Sequence, residues 1–168
     1  MKQIIENKYL IGFKFSYFKE ASTFFSNQKA KRSLVINDTY GDSYYCYVCY
    51  HSLTRETEFV LSFSSDLSED NLNFLFWENM FVLDTGKSVY LIDENLKIKT
   101  SFEIYTRVVG LYFVNKEKLL ILEEAGLRVI NYNGDIVKAE WLDFIEDFSI
   151  IDNLLSIQTS EEKKVIEL

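Results

Sequence analysis

Cys46 and Cys49 form a C-x-x-C with His51 two residues on, so this stretch holds the residue types of redox or metal chemistry. A redox pair works when its first thiol sits at a helix N-terminus that stabilises the thiolate. Here the pair lies inside Tyr44-Tyr-Cys-Tyr-Val-Cys-Tyr50, which reads as a strand, where residues three apart point to opposite faces. A zinc site needs four ligands, and the chain has no second Cys pair and no second His. Two reduced structural cysteines are the expectation, with no metal and no cofactor; redox and metal roles are the minor alternatives. A lone His51 also leaves Ser or Cys nucleophiles without their usual general base unless it serves by itself.

Carboxylates are the second chemically suggestive set. Trp141, Phe144, Ile145 and Phe148 follow helical spacing, with Asp143, Glu146 and Asp147 falling on the other side, so one or two turns of helix are expected within residues 139–148. Either geometry groups those three acids on a solvent-facing patch beside Trp141. Paired carboxylates serve glycosidases, but 26 acidic residues supply such pairs by chance. Glu123 and Glu124 occupy the turn position that Asp84 holds some forty residues earlier, and turns at matching places in stacked repeats share a rim. Asp84, Glu123, Glu124 and the Glu161-Glu162 pair are therefore expected along one acidic edge. Solvated turns with no partner are the plain alternative. Tyr44, Tyr45, Tyr47 and Tyr50 would present stacking faces to a sugar or partner, or else line a core strand.

These residues must be positioned by strands. Phe13, Phe15 and Tyr17 alternate with Lys14 and Ser16, so Tyr9 to Phe18 is predicted as a strand. Lys19 to Ser33 loses that period and is expected as a loop or short helix. Leu34 to Ile36 and Tyr44 to Tyr50 are predicted to pair as a hairpin with a long turn, and Phe59 to Phe63 as a further strand. Ser64 to Asn73 is a polar, acidic connector separating a β subregion, residues 1–70, from a repeat region, residues 71–168.

The repeat region writes one pattern three times, near 71–107, 108–146 and 147–168. A shift of 38 residues lays Val89 to Ile98 on Leu127 to Ile136, with apolar and turn positions coinciding. Each copy consists of short apolar runs broken by Asn, Gly, Asp or charged clusters, as in antiparallel hairpins. Asn131-Tyr-Asn-Gly-Asp135 is the clearest turn, because Asn and Gly tolerate positive φ. The copies resemble blades of a β-propeller, though they have no Gly-His and no Trp-Asp dipeptide, Trp141 being followed by Leu142. The resemblance implies an all-β, mainly antiparallel protein: a meander or partial propeller with at most one short helix, in one compact domain.

Composition narrows the function. Apolar residues make up 48% and aromatics 16%, with 14 Phe and 11 Tyr, which suits a β-rich core. The chain has no proline and is rich in Asn, Lys, Ile, Phe and Tyr, consistent with an AT-rich bacterial coding genome. The net charge of −8 is uneven: residues 1–70 carry 8 basic and 9 acidic side chains, residues 71–168 carry 10 and 17. Nucleic acid is an unsuitable partner for that surface, and a basic protein a natural one. The start of the chain has no apolar signal region and no run long enough to span a bilayer, so the cytosol is the expected location and no membrane partner is expected. A non-enzymatic binding protein is the expectation. In size and charge it resembles, as a class and without a shared motif, the bacterial immunity proteins that mask basic toxin sites, those of nucleases among them. The expected partner-binding residues are Asp84, Glu123, Glu124, Trp141, Asp143, Glu146 and Asp147. The alternatives are a small-ligand or carbohydrate-active β domain and a self-associating structural protein.

Overall fold

The chain is all-β apart from one helix, as a computed structural model of it shows; the residues described are 2–5, for the backbone alone, 8–37 and 41–168. Four sheets follow one another in sequence. The first contains β1 (Lys2–Ile5), β2 (Lys8–Phe15), β3 (Arg32–Val35), β4 (Ser43–His51) and β5 (Thr57–Ser65), in the order β1-β2-β4-β5-β3. The second runs β6 (Phe74–Trp77), β7 (Met80–Asp84), β8 (Ser88–Ile92), β9 (Ile98–Glu103), each strand beside the next. The third repeats that meander with β10 (Val108–Asn115), β11 (Lys118–Glu123), β12 (Gly126–Asn131) and β13 (Ile136–Trp141). The fourth has β14 (Ile145–Ile151), β15 (Leu154–Thr159) and β16 (Lys163–Glu167).

The 38-residue shift is visible in the turns. Asn131 Oδ1 accepts the N–H groups of Asn133 and Asp135, and Gly134 donates to the Asn131 carbonyl at φ +89°. Asp93, which the shift lays on Asn131, accepts from Asn95 and Lys97 in the same way. Leu96, laid on Gly134, adopts φ +61°. That conformation is uncommon for a branched residue, and burial of the leucine in the core beneath offsets its cost.

Three apolar layers glue the four sheets face to face. Tyr45, Tyr47, Leu61 and Phe63 of the first sheet meet Phe81, Leu83, Tyr90 and Ile92 of the second. Val82, Val89 and Leu91, on the other face of the second sheet, meet Leu119, Ile121 and Ile130 of the third. Leu120, Leu122 and Val129 then meet Leu155, Ile157 and Ile166 of the fourth. Strands β7, β8, β11 and β12 are therefore apolar on both faces, because each is covered on both sides. The end sheets differ. The far face of the fourth carries Ser149, Ser156, Gln158 and Lys163 between the exposed Ile151, Leu154 and Val165. The far face of the first is covered by a helix.

That helix, α1 (Phe18–Asn27), is the one helical element longer than a single turn among the described residues. Ala21 is buried against the sheet, and Phe24 packs on Phe13 and Phe15 with ring centroids 4.6 and 5.2 Å away. It carries the chain across the sheet so that β3 enters beside β5 in parallel. Parallel neighbours need such a crossover, whereas antiparallel ones do not. The expected hairpin of Leu34 to Ile36 with Tyr44 to Tyr50 is thus corrected: β3 pairs with β5, and β4 pairs with β2 and β5.

The expected helix within residues 139–148 is also absent. Trp141 ends β13 and Ile145 begins β14. A register shift between Ile145 and Asp147 lets Ile145 and Phe148, three apart, both reach the same core. An extra residue in a bulge reverses the alternation, and in sequence that imitates a helical period.

Candidate functional site

The expected acidic edge divides into a buried half and an exposed half. Asp84 and Glu123 are both buried, so neither offers its carboxylate to a partner. Asp84 shares a face of the second sheet with Val89 and looks toward the third; Glu123 shares a face with Leu119 and Ile121 and looks back toward the second. The two carboxylates enter one gap from opposite sides. Asp84 accepts the Gly86 N–H at 2.8 Å and the Asn73 side-chain amide at 3.2 Å. The same amide donates to the Val108 carbonyl at 3.2 Å, tying the second sheet to the third. Burial pushes the Asp84 carboxyl up to about 6; the two hydrogen bonds oppose that rise, the Glu123 charge adds to it and Arg107 opposes it.

Glu123 accepts the N–H groups of Tyr105 and Thr106 at 3.1 and 3.3 Å and pairs with Arg128 at 2.9 Å. Arg128 in turn donates from Nη1 to the Glu103 carbonyl at 2.6 Å. Its Nη2 is the atom facing Glu123, in ion contact but off the line of a hydrogen bond. These buried charges fasten the connection between β9 and β10 to the strands behind it. Their role is to hold a surface, and that surface is the exposed half.

Three connections run side by side at this edge. The Glu124 N–H donates to the Arg107 carbonyl, Leu142 to that of Ala125, and Ile145 to that of Glu124, at 2.8, 3.2 and 2.8 Å. Residues 105–107, 124–125 and 142–145 are thereby fixed as a single ridge. On it stand Tyr105, Trp141 and Phe144, which are 66, 66 and 61% exposed. The Tyr105 and Trp141 rings lie 5.2 Å apart at 53°, and the Arg128 guanidinium sits 5.2 Å from the centroid of Tyr105. Large aromatic side chains held rigidly in water are the kind of surface that monomers otherwise bury. Asp143 and Glu146 flank Phe144 and Ile145 along the chain in exposed positions, Glu124 is half-buried, and Asp147, also exposed, pairs with Gln158 on the far face of the fourth sheet. Glu124 and the segment that carries Trp141, Asp143 and Glu146 thus meet at one edge, through a strand, a turn and a strand, whereas Asp147 lies on the far face of the fourth sheet.

Tyr105 and Arg128 escaped the sequence reading. Tyr105 lies outside any apolar run, whereas Arg128 could have been noticed as the one charge inside Leu127-Arg-Val-Ile130, a strand with both faces covered.

The other chemically suggestive residues are spent on the core. Cys46 and Cys49 are free and buried on opposite faces of β4: Cys46 lies 3.7 Å from the Ala21 carbonyl under the helix, and Cys49 belongs to the layer between the first two sheets. Burial pushes both thiols up, Cys49 to about 11, which disfavours the thiolate that redox or metal chemistry requires. Tyr45 and Tyr47 are buried, Tyr45 donating to the Leu67 carbonyl at 2.6 Å, so half of the tyrosine set is closed to ligands.

No protein-family model and no curated protein sequence matches the chain. The solved structure of BamB from Moraxella catarrhalis, a β-propeller-type protein, superposes with a TM-score of 0.56 at 9% identity, covering 82% of this chain and 49% of that one. A protein of unknown function from Bacteroides caccae superposes at 0.47 with 11% identity, covering 68% of this chain and 48% of that one. KlHsv2 with loop 6CD replaced by a Gly-Ser linker gives 0.49 and 10%, covering 73% and 42%. The chain spans about half the length of each of these structures or less. The BamB likeness is one of fold: stacked four-stranded blades of the propeller type. No described helix is long and apolar enough to cross a membrane.

Proposed function

We propose that the protein is a non-enzymatic binding module that captures a basic protein on the ridge carrying Tyr105, Trp141 and Phe144. The observation that carries this reading is the exposure of three aromatic rings on a hydrogen-bonded ridge whose own segments also carry Glu124, Asp143 and Glu146, with Asp147 following in the next strand. Aromatic anchors supply most of an interface's affinity, and surrounding charges steer encounter and set partner choice. Eight net negative charges on the chain favour a positively charged target. In its narrowest form the target is a toxin in the cytosol, a nuclease among the candidates, whose basic site the ridge covers as an immunity protein would. The buried Asp84 and Glu123 take no part in contact.

The test is the association rate against ionic strength with a purified basic partner. Replacing Asp143, Glu146 and Asp147 together by Lys should slow association by at least tenfold at low salt and flatten its salt dependence. Trp141→Ala should instead raise the dissociation rate by tenfold or more. Unchanged rates in both variants would place the interface elsewhere.

A further inference from the structure

A second feature lies far from the ridge, between the first and second sheets. It is an open cleft of about 580 Å³ whose walls carry opposite charges. On the first sheet, the face that elsewhere presents Leu10, Cys49 and Leu34 to the core ends in Lys8, His51 and Arg32. Lys8 and His51 are register partners on β2 and β4, and Arg32 begins β3 two strands further on. Two cations and a histidine thus replace apolar residues at the same end of three strands. Across the cleft the second sheet presents Glu78 and Glu94 from its turns, with Phe76 between the two walls.

The histidine is oriented. Its Nδ1 accepts the backbone N–H groups of Leu53 and Thr54 at 3.3 and 3.4 Å, so the ring hydrogen resides on Nε2 and is a donor. Among the described residues no ion pair crosses the cleft: Arg32 has Glu58 of its own sheet at 3.9 Å, and Lys8 has none. Asp93, also at the cleft, spends one oxygen on its turn. Charges of opposite sign that face each other without meeting leave both sets of hydrogen bonds to a third party. Three donors from three strands suit a carboxylate, and two free carboxylates opposite suit an ammonium. Doubly anionic ligands would be repelled by the second wall.

We infer that this cleft binds a small zwitterion with an apolar body, its carboxylate on Lys8, Arg32 and His51, its ammonium on Glu78 and Glu94, and its side chain against Phe76. A large apolar amino acid is the simplest such molecule. The volume lies within the range of small-molecule sites, and clefts between packed units are where such sites form. The inference is independent of the ridge and stands whether or not a protein binds there.

His51 is the only histidine, so its ring Hε1 gives one unambiguous NMR signal at the site. Titrating the full chain with L-phenylalanine should shift that signal in a saturable way. Lys8→Ala should weaken the titration at least tenfold, and Glu94→Gln should weaken it by a similar factor. Two probes that each lack one charge, 3-phenylpropanoate and 2-phenylethylamine, should bind at least tenfold more weakly than phenylalanine. An unmoved His51 signal with both L-phenylalanine and L-leucine would overturn the inference. Equal binding of 3-phenylpropanoate and phenylalanine would overturn the zwitterion in particular.

Discussion

Single side chains between the second and third sheets show how charge is used to fix a surface without being part of it. Asp84 has a raised carboxyl in the folded protein, about 6 against an ordinary 3.8. The folded state therefore holds this proton more tightly than the unfolded chain. Its contribution to stability is fully present below about pH 4 and is lost as pH rises through about 6. The difference of two units corresponds to roughly 3 kcal/mol. Urea unfolding followed from pH 4 to pH 7 should show this fall, and Asp84→Asn should remove most of it. Arg128 is a sharper case. Removing one partner of a buried pair strands the other, so Arg128→Met should cost about 3 to 5 kcal/mol, whereas Arg128→Met with Glu123→Leu should recover much of it. Equilibrium unfolding of the three proteins decides, and an equal loss in single and double variants would mean that the pair is not what holds the ridge.

At the scale of elements, strand alternation was readable wherever both sides of the pattern had one environment. Phe59 to Phe63 and Tyr44 to Tyr50 form strands as expected, and the Asn131 to Asp135 turn has the positive φ that its glycine predicted. The 38-residue shift was legible because it is carried by Asx turns, which are local. What sequence did not show is non-local or parity-breaking. The bulge after Ile145 turned two strand segments into a helical period, and the pairing of β3 with β5 depends on where α1 crosses, which no residue of β3 encodes. The burial of Asp84 and Glu123 was hidden for a similar reason, since turn position says nothing about what packs across a gap. The helix itself makes a testable contact. Ala21 is the residue of its buried face that sits against the sheet, so Ala21→Leu should lift the helix and destabilise by about 1 to 3 kcal/mol in thermal or urea unfolding. The same variant should make Cys46, beneath Ala21, react faster with a thiol reagent in native buffer while leaving Cys49 protected. Equal rates for the two thiols would mean that the helix does not seal that face.

For the whole molecule, four sheets joined by three apolar layers stack so that the inner strands are covered on both faces, with a helix on the far face of the first sheet and a mostly polar far face on the fourth. This stack places the ridge at the seam of the third sheet with its neighbours. The central claim is that this ridge captures a basic protein. Native mass spectrometry of the chain recovered from the cells that make it tests this most directly, with wild type beside a variant carrying Trp141→Ala, Asp143→Lys and Glu146→Lys. The expected result is a stoichiometric complex with a basic protein in wild type that is lost in the variant, while both chains unfold at the same urea concentration. A complex that survives the triple change, or a wild-type chain that is recovered with no basic protein, would contradict the account.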